Sequence, residues 1–392
     1  MSASANPDIV DDGLVFLYDT DDGKSYKGEP TENIALTEMG ISLGQNFSSG
    51  QHFCTTSIVN FSQAKYGNGV VWKYAIDRNN DRNWLRPPYS SASGGSTWTF
   101  SYWVYNPNSI NVTMQARIFG RDSNSTIVTN QASNITCQSL TWTQVYLTTT
   151  LAATATQIGF HLELVNEEDF SVNDFVYLDG IQLEEKSHVT QFTTGTRSAT
   201  QGLIDRTGNS TIDISNASFD SNAQMTFDGT DDYAEVADQN FLDLTTAMSF
   251  EFVVKPDSSQ SNLYPRLIDK SVYLIHLTST SPFGIFQNIS TSGGLRQTGI
   301  NSVVTAGNWT HIVCTYDGQY GKIYVDGELV KTQDFGSVLS CNTNSSSLRI
   351  AGDGSTNRPL NGEMPICKIY NKVLTASEVL QNFNATKSRF GL

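Results

Sequence analysis

The feature that most constrains the fold is a strict alternation of apolar and polar side chains over short segments. Residues 157–165 place Ile158, Phe160, Leu162 and Leu164 at every second position. Successive side chains of a β-strand point to opposite faces of its sheet, so this alternation predicts a strand with one buried face. Comparable segments recur along the chain, separated by stretches rich in Gly, Asn, Ser and Thr. The pattern predicts an all-β protein built from sandwiches.

Two groups of predicted strands divide the chain. The first group runs from residue 40 to residue 190, and the second begins near Met225. The polar residues 191–201 between them form the best candidate for a linker. Within the second group, Asp326-Gly327 joins two apolar runs, which is the sequence of a tight β-hairpin turn. We therefore expect two antiparallel sandwiches.

A single helix is predicted, at residues 375–388. Thr375 and Glu378 have the spacing of a capping box, in which both side chains satisfy backbone N–H groups of the first helical turn. Val379, Leu380 and Phe383 then follow on one stripe. We expect this short C-terminal helix to pack on the rim of a sandwich.

Composition restricts the partners. The chain carries 24 Lys and Arg against 39 Asp and Glu, which gives a formal net charge of −15. Because no basic stripe is present to neutralise phosphates, the sequence argues against nucleic acid, and an anionic membrane is disfavoured for the same reason. No apolar run approaches the roughly 20 residues needed to cross a bilayer. The five cysteines lack the spacing of a zinc site, and we expect buried thiols.

Four stretches in the C-terminal half carry a family resemblance. They are FDGTDDY at 227–233, NWTHIVCTYDG at 308–318, KIYVDGELV at 322–330 and GEMPICKIYNKVLTASEV at 362–379. In this order they resemble the laminin-G-like branch of the concanavalin A-like lectin/glucanase superfamily. The resemblance implies a jelly-roll sandwich of two antiparallel sheets over residues 202–392.

Residues 95–190 more loosely resemble carbohydrate-binding modules of the jelly-roll type, on the stretches STWTFSYWVYNP, LTWTQVYL and FVYLDGIQLEEKSHVTQF. The expected fold is therefore two antiparallel jelly-roll β-sandwiches, at 40–190 and at 202–392. GLVFLYDTDDGKSY at 13–26 and GLIDRTGNSTI, which starts at Gly202, also resemble consecutive pieces of one laminin-G-like domain. Two arrangements stay open for the N-terminal segment 1–39. It either stands outside the second sandwich or completes it with strand 13–18, and the first sandwich is then an insertion.

The overall style of the chain, including the ending FNATKSRFGL, resembles virion structural proteins of tailed bacteriophages. This resemblance implies a virion surface protein, either a capsid decoration or a tail or fibre component, present as a homo-oligomer or in many copies. Its partners would be other capsid or tail proteins and host-surface glycans. The segment MSASANPDIVDDG lacks the basic and apolar regions of a signal peptide, so we expect synthesis in the host cytoplasm and later exposure on the particle. An extracellular location is the alternative.

Catalysis is not expected. A retaining glycosidase needs two carboxylates about 5 Å apart. The glucanases of the resembled superfamily supply them from a strand of the form E-x-D-x-x-E, and no such segment occurs in this sequence. The favoured function is non-catalytic binding through lectin-like modules. The alternative is a secreted or cell-surface glycan-binding protein or glycan hydrolase.

Sugar binding requires exposed aromatic rings that stack on pyranose faces, together with side chains that hydrogen-bond hydroxyl groups. The segment RNNDRNWLRPPY at 78–89 is the richest in both, and its two prolines predict a loop. The candidate glycan- or partner-binding residues are Asp81, Arg82, Trp84, Arg86 and Tyr89. The alternative for Trp84 is that its ring closes the end of the sandwich core.

Further candidates for glycan binding lie in predicted loops of the C-terminal half. They are Tyr264, Arg266, Asn357 and Arg358.

One acidic turn offers candidate metal ligands. Asp228, Asp231 and Asp232 in DGTDD supply closely spaced carboxylates, and calcium prefers several oxygen ligands. The alternative is a simple turn in which Asp228-Gly229 sets the geometry and the other carboxylates face water. No cofactor is predicted apart from this structural calcium.

Overall fold

The chain forms two compact units. The computed structural model describes residues 8–35, 51–52, 54–66, 69–76, 83–166, 169–171, 174–260, 264–354 and 358–392, without the side chains of residues 51, 52, 55 and 83. The first module comprises Pro30–Arg197 and Ser221–Ala223. The second module comprises Met1–Glu29, Ser198–Asp220 and Gln224–Leu392.

Strands dominate the described residues and are numbered along the chain. The strands up to Arg197 are β1 (Leu14–Asp19), β2 (Thr31–Glu32), β3 (Gln51–His52), β4 (Cys54–Asn60), β5 (Val70–Ile76), β6 (Asn83–Leu85), β7 (Ser90–Ser91), β8 (Thr97–Tyr105), β9 (Val112–Arg121), β10 (Ile127–Cys137), β11 (Trp142–Thr150), β12 (Gln157–Leu164), β13 (Phe175–Glu184) and β14 (Thr196–Arg197). The later elements are β15 (Ile212–Asn216), β16 (Ser218–Phe219), β17 (Met225–Asp228), β18 (Tyr233–Val236), β19 (Met248–Pro256), β20 (Arg266–Asp269), β21 (Tyr273–Leu277), β22 (Phe283–Thr291), β23 (Gly294–Val304), β24 (Thr310–Tyr316), β25 (Tyr320–Val325), β26 (Glu328–Asp334), β27 (Leu348–Ile350), β28 (Asn361–Tyr370) and helix α1 (Ala376–Phe390).

The first module is a sandwich of two antiparallel sheets. A six-stranded sheet has the order β10-β9-β12-β6-β3 with β7 beside β12, and a five-stranded sheet has the order β11-β8-β13-β5-β4. The strand predicted at 157–165 is confirmed as β12, which buries Ile158, Phe160 and Leu162 on its core face. Its opposite face is covered as well, since His161 and Glu163 are also buried. Phe160 stacks on Phe100 of β8, with 4.2 Å between the ring centroids. The core of the module therefore lies between these two sheets.

The second module also pairs two antiparallel sheets. An eight-stranded sheet has the order β16-β17-β28-β19-β24-β25-β26 with β1 beside β28, and a seven-stranded sheet has the order β15-β18-β27-β20-β21-β22-β23. Phe250 of the larger sheet contacts Tyr273 of the smaller one at 5.1 Å between centroids. The all-β fold with antiparallel jelly-roll sandwiches is thus confirmed.

Strand β1 belongs to the second module, although most of that module follows residue 198. Phe16 of β1 lies opposite Ile369 of β28, and Tyr18 lies opposite Cys367. Phe16 and Tyr18 are fully buried in the second module's core. The Tyr18 hydroxyl donates to the Met364 carbonyl oxygen at 2.9 Å. The first strand of the chain therefore contributes both pairing and core to its C-terminal half.

The chain leaves the second module and returns to it at neighbouring positions. The Lys27 backbone N–H donates to the Gly202 carbonyl oxygen at 2.8 Å, and Tyr26 forms a β-bridge with Leu203. Between these points the chain builds the first module. The segment that leaves the second module and the segment that re-enters it therefore lie side by side. Hydrogen bonds join them directly, although a long stretch of chain lies between them in sequence.

Helix α1 covers one face of the second module. Its predicted capping box is present, since the Glu378 N–H donates to Thr375 Oγ1 at 3.3 Å and the Thr375 N–H donates to Glu378 Oε2 at 2.8 Å. Gly391 ends the helix with a φ of 71°, a left-handed conformation that suits glycine. Val379 packs beside Val313 of the eight-stranded sheet. The helix thus lies on the outward face of that sheet.

Two further observations concern the described residues. All five cysteines are buried thiols, as the sequence predicts. No helix in the described part of the chain has the length and apolar character to span a membrane.

Candidate functional site

The outward face of the seven-stranded sheet carries a groove. The strand register places Arg266 of β20 opposite His276 of β21, and His276 opposite Phe286 of β22, so these side chains form one row across the sheet. Together they line a depression of about 590 Å³, within the range of about 300–1,000 Å³ typical of ligand pockets. We call this surface the second-module groove and define it by Tyr264, Arg266, Leu274, His276, Phe286 and Arg358.

The groove has an aromatic floor and an aromatic wall. The rings of His276 and Phe286 are nearly parallel and stack on each other, with 5.3 Å between centroids and an interplanar angle of 7°. Phe286 lies flat over β23 because Gly299 has no side chain there, and a Cβ at Gly299 would lie only 2.3 Å from the ring. Tyr264 stands against His276 at 72° and is 46% exposed. A stacked pair of rings with a third, accessible ring standing against it offers aromatic surface for contact with the face of a pyranose.

His276 is a neutral hydrogen-bond acceptor. Its Nδ1 lies 3.0 Å from the Leu277 carbonyl oxygen; since a carbonyl only accepts, Nδ1 carries the proton. Burial lowers the pKa of His276 to about 4, and the nearby positive charges of Arg266 and Arg358 act in the same direction. At neutral pH the ring is therefore uncharged, and Nε2 can accept a hydrogen bond from a ligand hydroxyl.

Polar side chains surround the aromatic floor. Gln297 Nε2 donates to Asn288 Oδ1 at 2.9 Å, so two amides sit side by side on β22 and β23. A second depression of about 490 Å³ adjoins the groove and shares Leu274 and Arg358 with it. The two depressions together provide room for more than one sugar unit.

The arginines of the groove are all ion-paired. Arg266 Nε lies 2.9 Å from Asp269 Oδ2. In the adjoining depression, Arg358 Nη1 lies 3.8 Å from Asp353 Oδ2, and Arg349 Nε lies 3.3 Å from Glu235 Oε2. Each positive charge is matched by a carboxylate, so this surface carries no net formal charge.

The structure places Trp84, one of the sequence-predicted residues of the first module, in a strand. Residues 83–85 form strand β6, paired with β12, which corrects the prediction that 78–89 is a loop throughout. Backbone pairing ends only before Pro87-Pro88, because proline lacks the N–H that a ladder needs. The side chain of Trp84 stacks on His161, with 5.7 Å between centroids. The candidates Asp81 and Arg82 lie outside the described residues, as does Asn357 of the second module.

Three predicted residues come together on the outward face of the six-stranded sheet. The guanidinium carbon of Arg86 lies 5.1 Å from the centroid of the Trp84 ring. Tyr89 lies against Gly159, and the guanidinium carbon of Arg121 lies 3.9 Å from the centroid of the Tyr89 ring. We call this surface the first-module face and define it by Trp84, Arg86, Tyr89, Arg117, Arg121 and His161.

Sequence reasoning missed the part of this face that the strands supply. Arg117, Phe119 and Arg121 lie on β9, and His161 and Glu163 lie on β12, all at outward positions. The signal was present, because these residues alternate with the apolar core positions of strands that the sequence does predict. The positions between the apolar core residues of each strand therefore indicate them.

The acidic turn brings its three aspartates together. One carboxylate oxygen from each of Asp228, Asp231 and Asp232 lies within 4.8 Å of the others. Asp232 Oδ2 already accepts from the backbone N–H of Asp228 at 2.8 Å and of Ser218 at 3.1 Å. Asp228 Oδ1 accepts from the Thr230 N–H at 2.7 Å. Two of the three carboxylates thus hold the turn itself, and calcium at this position stays a prediction.

A family model matches the module that carries the groove. Residues 228–380 match the laminin G model described as "Concanavalin A-like lectin/glucanases superfamily". The match covers less than half of the chain, and every residue that defines the groove lies within it. The resemblance read from the sequence is therefore confirmed for residues 228–380, which carry a lectin-like domain of this superfamily. No curated protein matches the chain.

Solved structures with remote similarity include three botulinum neurotoxin fragments. The serotype G binding domain is 15% identical with a TM-score of 0.40, over 48% of this chain and 49% of that one. A type C structure, described with cell entry that depends on two ganglioside molecules, is 14% identical with a TM-score of 0.37, over 48% and 50%. The serotype D binding domain is 13% identical with a TM-score of 0.38, over 48% and 50%. The chain spans about half the length of each.

Proposed function

We propose that this protein is a non-catalytic glycan-binding protein whose second-module groove holds a neutral oligosaccharide. The observation that carries the proposal is the aromatic corner, in which the stacked pair His276 and Phe286 meets the exposed ring of Tyr264. The amides of Asn288 and Gln297 lie beside it. Aromatic stacking with a few placed polar groups is the usual means of sugar recognition. The paired arginines make a neutral sugar the better ligand.

The carboxylates at the groove support binding rather than hydrolysis. A retaining glycosidase needs one carboxylate as the nucleophile and a second as the acid. Asp269 and Asp353 are each engaged in an ion pair with an arginine, so neither carboxylate stands ready as a nucleophile or an acid. We therefore expect no release of reducing ends from laminarin, agarose or carrageenan above a heat-inactivated control, and such release would contradict a purely binding role.

Binding is tested by calorimetry with neutral oligosaccharides, starting with laminarin and agarose fragments. Tyr264→Ala removes the exposed wall of the groove and is expected to weaken binding about tenfold, as for an aromatic anchor. Tyr146→Ala is the matched control, because Tyr146 of the first module is equally accessible at 49%. Unchanged binding by the Tyr264 variant, or equal loss in both variants, would contradict the proposal.

We further propose that the protein works on the surface of a virus particle, in many copies and in contact with capsid or tail proteins. The support is the resemblance of its sequence style to virion structural proteins of tailed bacteriophages. The alternative is a secreted glycan-binding protein. Mass spectrometry of purified particles distinguishes them, since a virion component is expected at a fixed copy number per particle. A chain found only in the culture supernatant would contradict the virion location.

A further inference from the structure

Three arginines of the first-module face each lie over an aromatic ring. The distances from guanidinium carbon to ring centroid are 5.1 Å for Arg86 over Trp84, 5.8 Å for Arg117 over Phe119, and 3.9 Å for Arg121 over Tyr89. These contacts hold the guanidinium groups in fixed positions while the three arginines remain partly exposed. The face therefore presents ordered positive charge next to flat apolar surfaces.

Among the residues that the structure describes, these arginines have no carboxylate partner. Within the described ranges, none of the three forms an ion pair, and Arg117 Nε donates instead to the neutral Gln115 Oε1 at 2.8 Å. The nearby carboxylate of Glu163 is bonded to His161 at 2.8 Å. Two polar atoms at the Tyr89–Arg121 pair, the Tyr89 hydroxyl and Arg121 Nε, are buried with no hydrogen-bond partner among the described residues. Leaving such buried groups unpaired costs stability.

The spacing of the arginines indicates the size of that ligand. Arg117 and Arg121 are four residues apart on β9 and point to the same side of the sheet. At about 3.3 Å per residue, their positions on the strand are roughly 13 Å apart. One small anion cannot reach both, so the ligand must carry anionic groups at intervals. The neighbouring rings favour a ligand with apolar faces between those groups.

We propose that the first-module face binds an acidic polysaccharide, a chain of pyranose units that carry sulfate or carboxylate groups. The arginines pair with the anionic groups, and Trp84 and Tyr89 contact the sugar rings. This site is separate from the second-module groove and goes beyond the function proposed for it. A chain with a net charge of −15 repels acidic polymers in general. The interaction is therefore confined to this face.

The test measures binding of the full chain to three matched probes by calorimetry. They are carrageenan oligosaccharides with sulfate, alginate oligosaccharides with carboxylate, and uncharged agarose oligosaccharides. Arg121→Gln and Arg86→Gln are each expected to weaken binding of an acidic probe about tenfold, the usual effect of losing a hydrogen bond to a charged group. Arg206→Gln, which removes an arginine paired with Asp22 elsewhere in the chain, is expected to bind as wild type. Added salt is expected to weaken acidic-probe binding.

The two acidic probes identify the anionic group, since tighter binding of carrageenan indicates sulfate and tighter binding of alginate indicates carboxylate. Arg121→Lys keeps the charge and is expected to retain more affinity than Arg121→Gln, which separates recognition from misfolding. The Tyr264→Ala variant should bind acidic probes normally, so failure of the groove proposal leaves this test intact. The proposal is overturned if neither acidic probe binds the Tyr264→Ala variant more tightly than agarose does. It is also overturned if the arginine variants bind as wild type, or if a DNA oligonucleotide binds more tightly than both acidic probes.

Discussion

The two surfaces use the same kinds of side chain in opposite electrostatic states. In the second-module groove, Arg266 and Arg358 each face a carboxylate, and the neutral His276 lies between aromatic rings. On the first-module face, Arg86 and Arg121 have aromatic rings beneath them and no carboxylate partner within the described residues. The number of arginines on a surface therefore does not by itself predict the charge of its ligand. What counts is whether the protein has already neutralised the guanidinium group.

Each surface is held in place by the core of its own module, so truncating a core side chain is expected to give the largest effect. Phe16→Ala empties a fully buried site in the second module and is expected to cost about 3–5 kcal/mol. Groove binding should then weaken while the first-module face keeps its affinity. Phe100→Ala is the matched change in the first module and should do the reverse. Hydrogen exchange resolved by module provides the measurement. Equal loss of protection in both modules for either variant would break the comparison.

The neutral state of His276 makes the second module sensitive to acid. Its pKa is about 4 in the folded chain against 6.5 for an unperturbed histidine. Between pH 6.5 and pH 4, His276 is protonated in the unfolded chain but not in the folded one. The free energy of unfolding therefore has its full value above about pH 6.5 and falls as the pH drops toward 4. The loss is roughly 3 kcal/mol at most. The free energy of unfolding, measured by denaturation at several pH values in this range, should change less steeply with pH for His276→Gln than for wild type. Identical slopes would mean that His276 titrates normally.

Removing the carboxylate partner of an arginine should give the second-module groove some affinity for acidic ligands, as proposed for the first-module face. Asp353→Asn leaves Arg358 without the ion pair seen in the structure. Because Arg358 is well exposed, the gain is moderated by solvent, and affinity for carrageenan oligosaccharides should rise about two- to fivefold at low salt. Asp213→Asn is the control, since it removes a negative charge from the same sheet without unpairing an arginine. A similar rise in the control would point to net charge instead.

The smallest effect is expected at the acidic turn. Asp232 and Asp228 already accept backbone hydrogen bonds that hold the turn, which favours the turn interpretation over a calcium site. We expect calcium and a chelator to give melting temperatures within about 1 °C of each other, since a ligand stabilises only what it binds. A clear rise with calcium that is lost in Asp231→Asn would establish the metal site. Neither surface should change its affinity in this experiment.

The local features of the fold were readable from the sequence. The alternation at 157–165 predicts a strand with one buried face, and the structure buries that face. The capping box at Thr375 predicts the start of the helix. The loop prediction at 78–89 is wrong for 83–85, because proline prevents pairing only where it stands, and Trp84 precedes the two prolines. The sequence indicates both groups of candidate residues, around Trp84 and around Tyr264, but not the side chains that they contact.

The strand pattern and the helix cap follow from the amino-acid sequence, since each depends on residues within a few positions of one another. Which arginines are paired with a carboxylate depends on the tertiary structure. Arg349 and Glu235 are 114 residues apart in the chain and meet because β18 and β27 are neighbours in the sheet. Arg121 meets Tyr89 rather than a carboxylate for the same kind of reason. Coulomb interactions act through space, whereas the period of a strand is set along the chain.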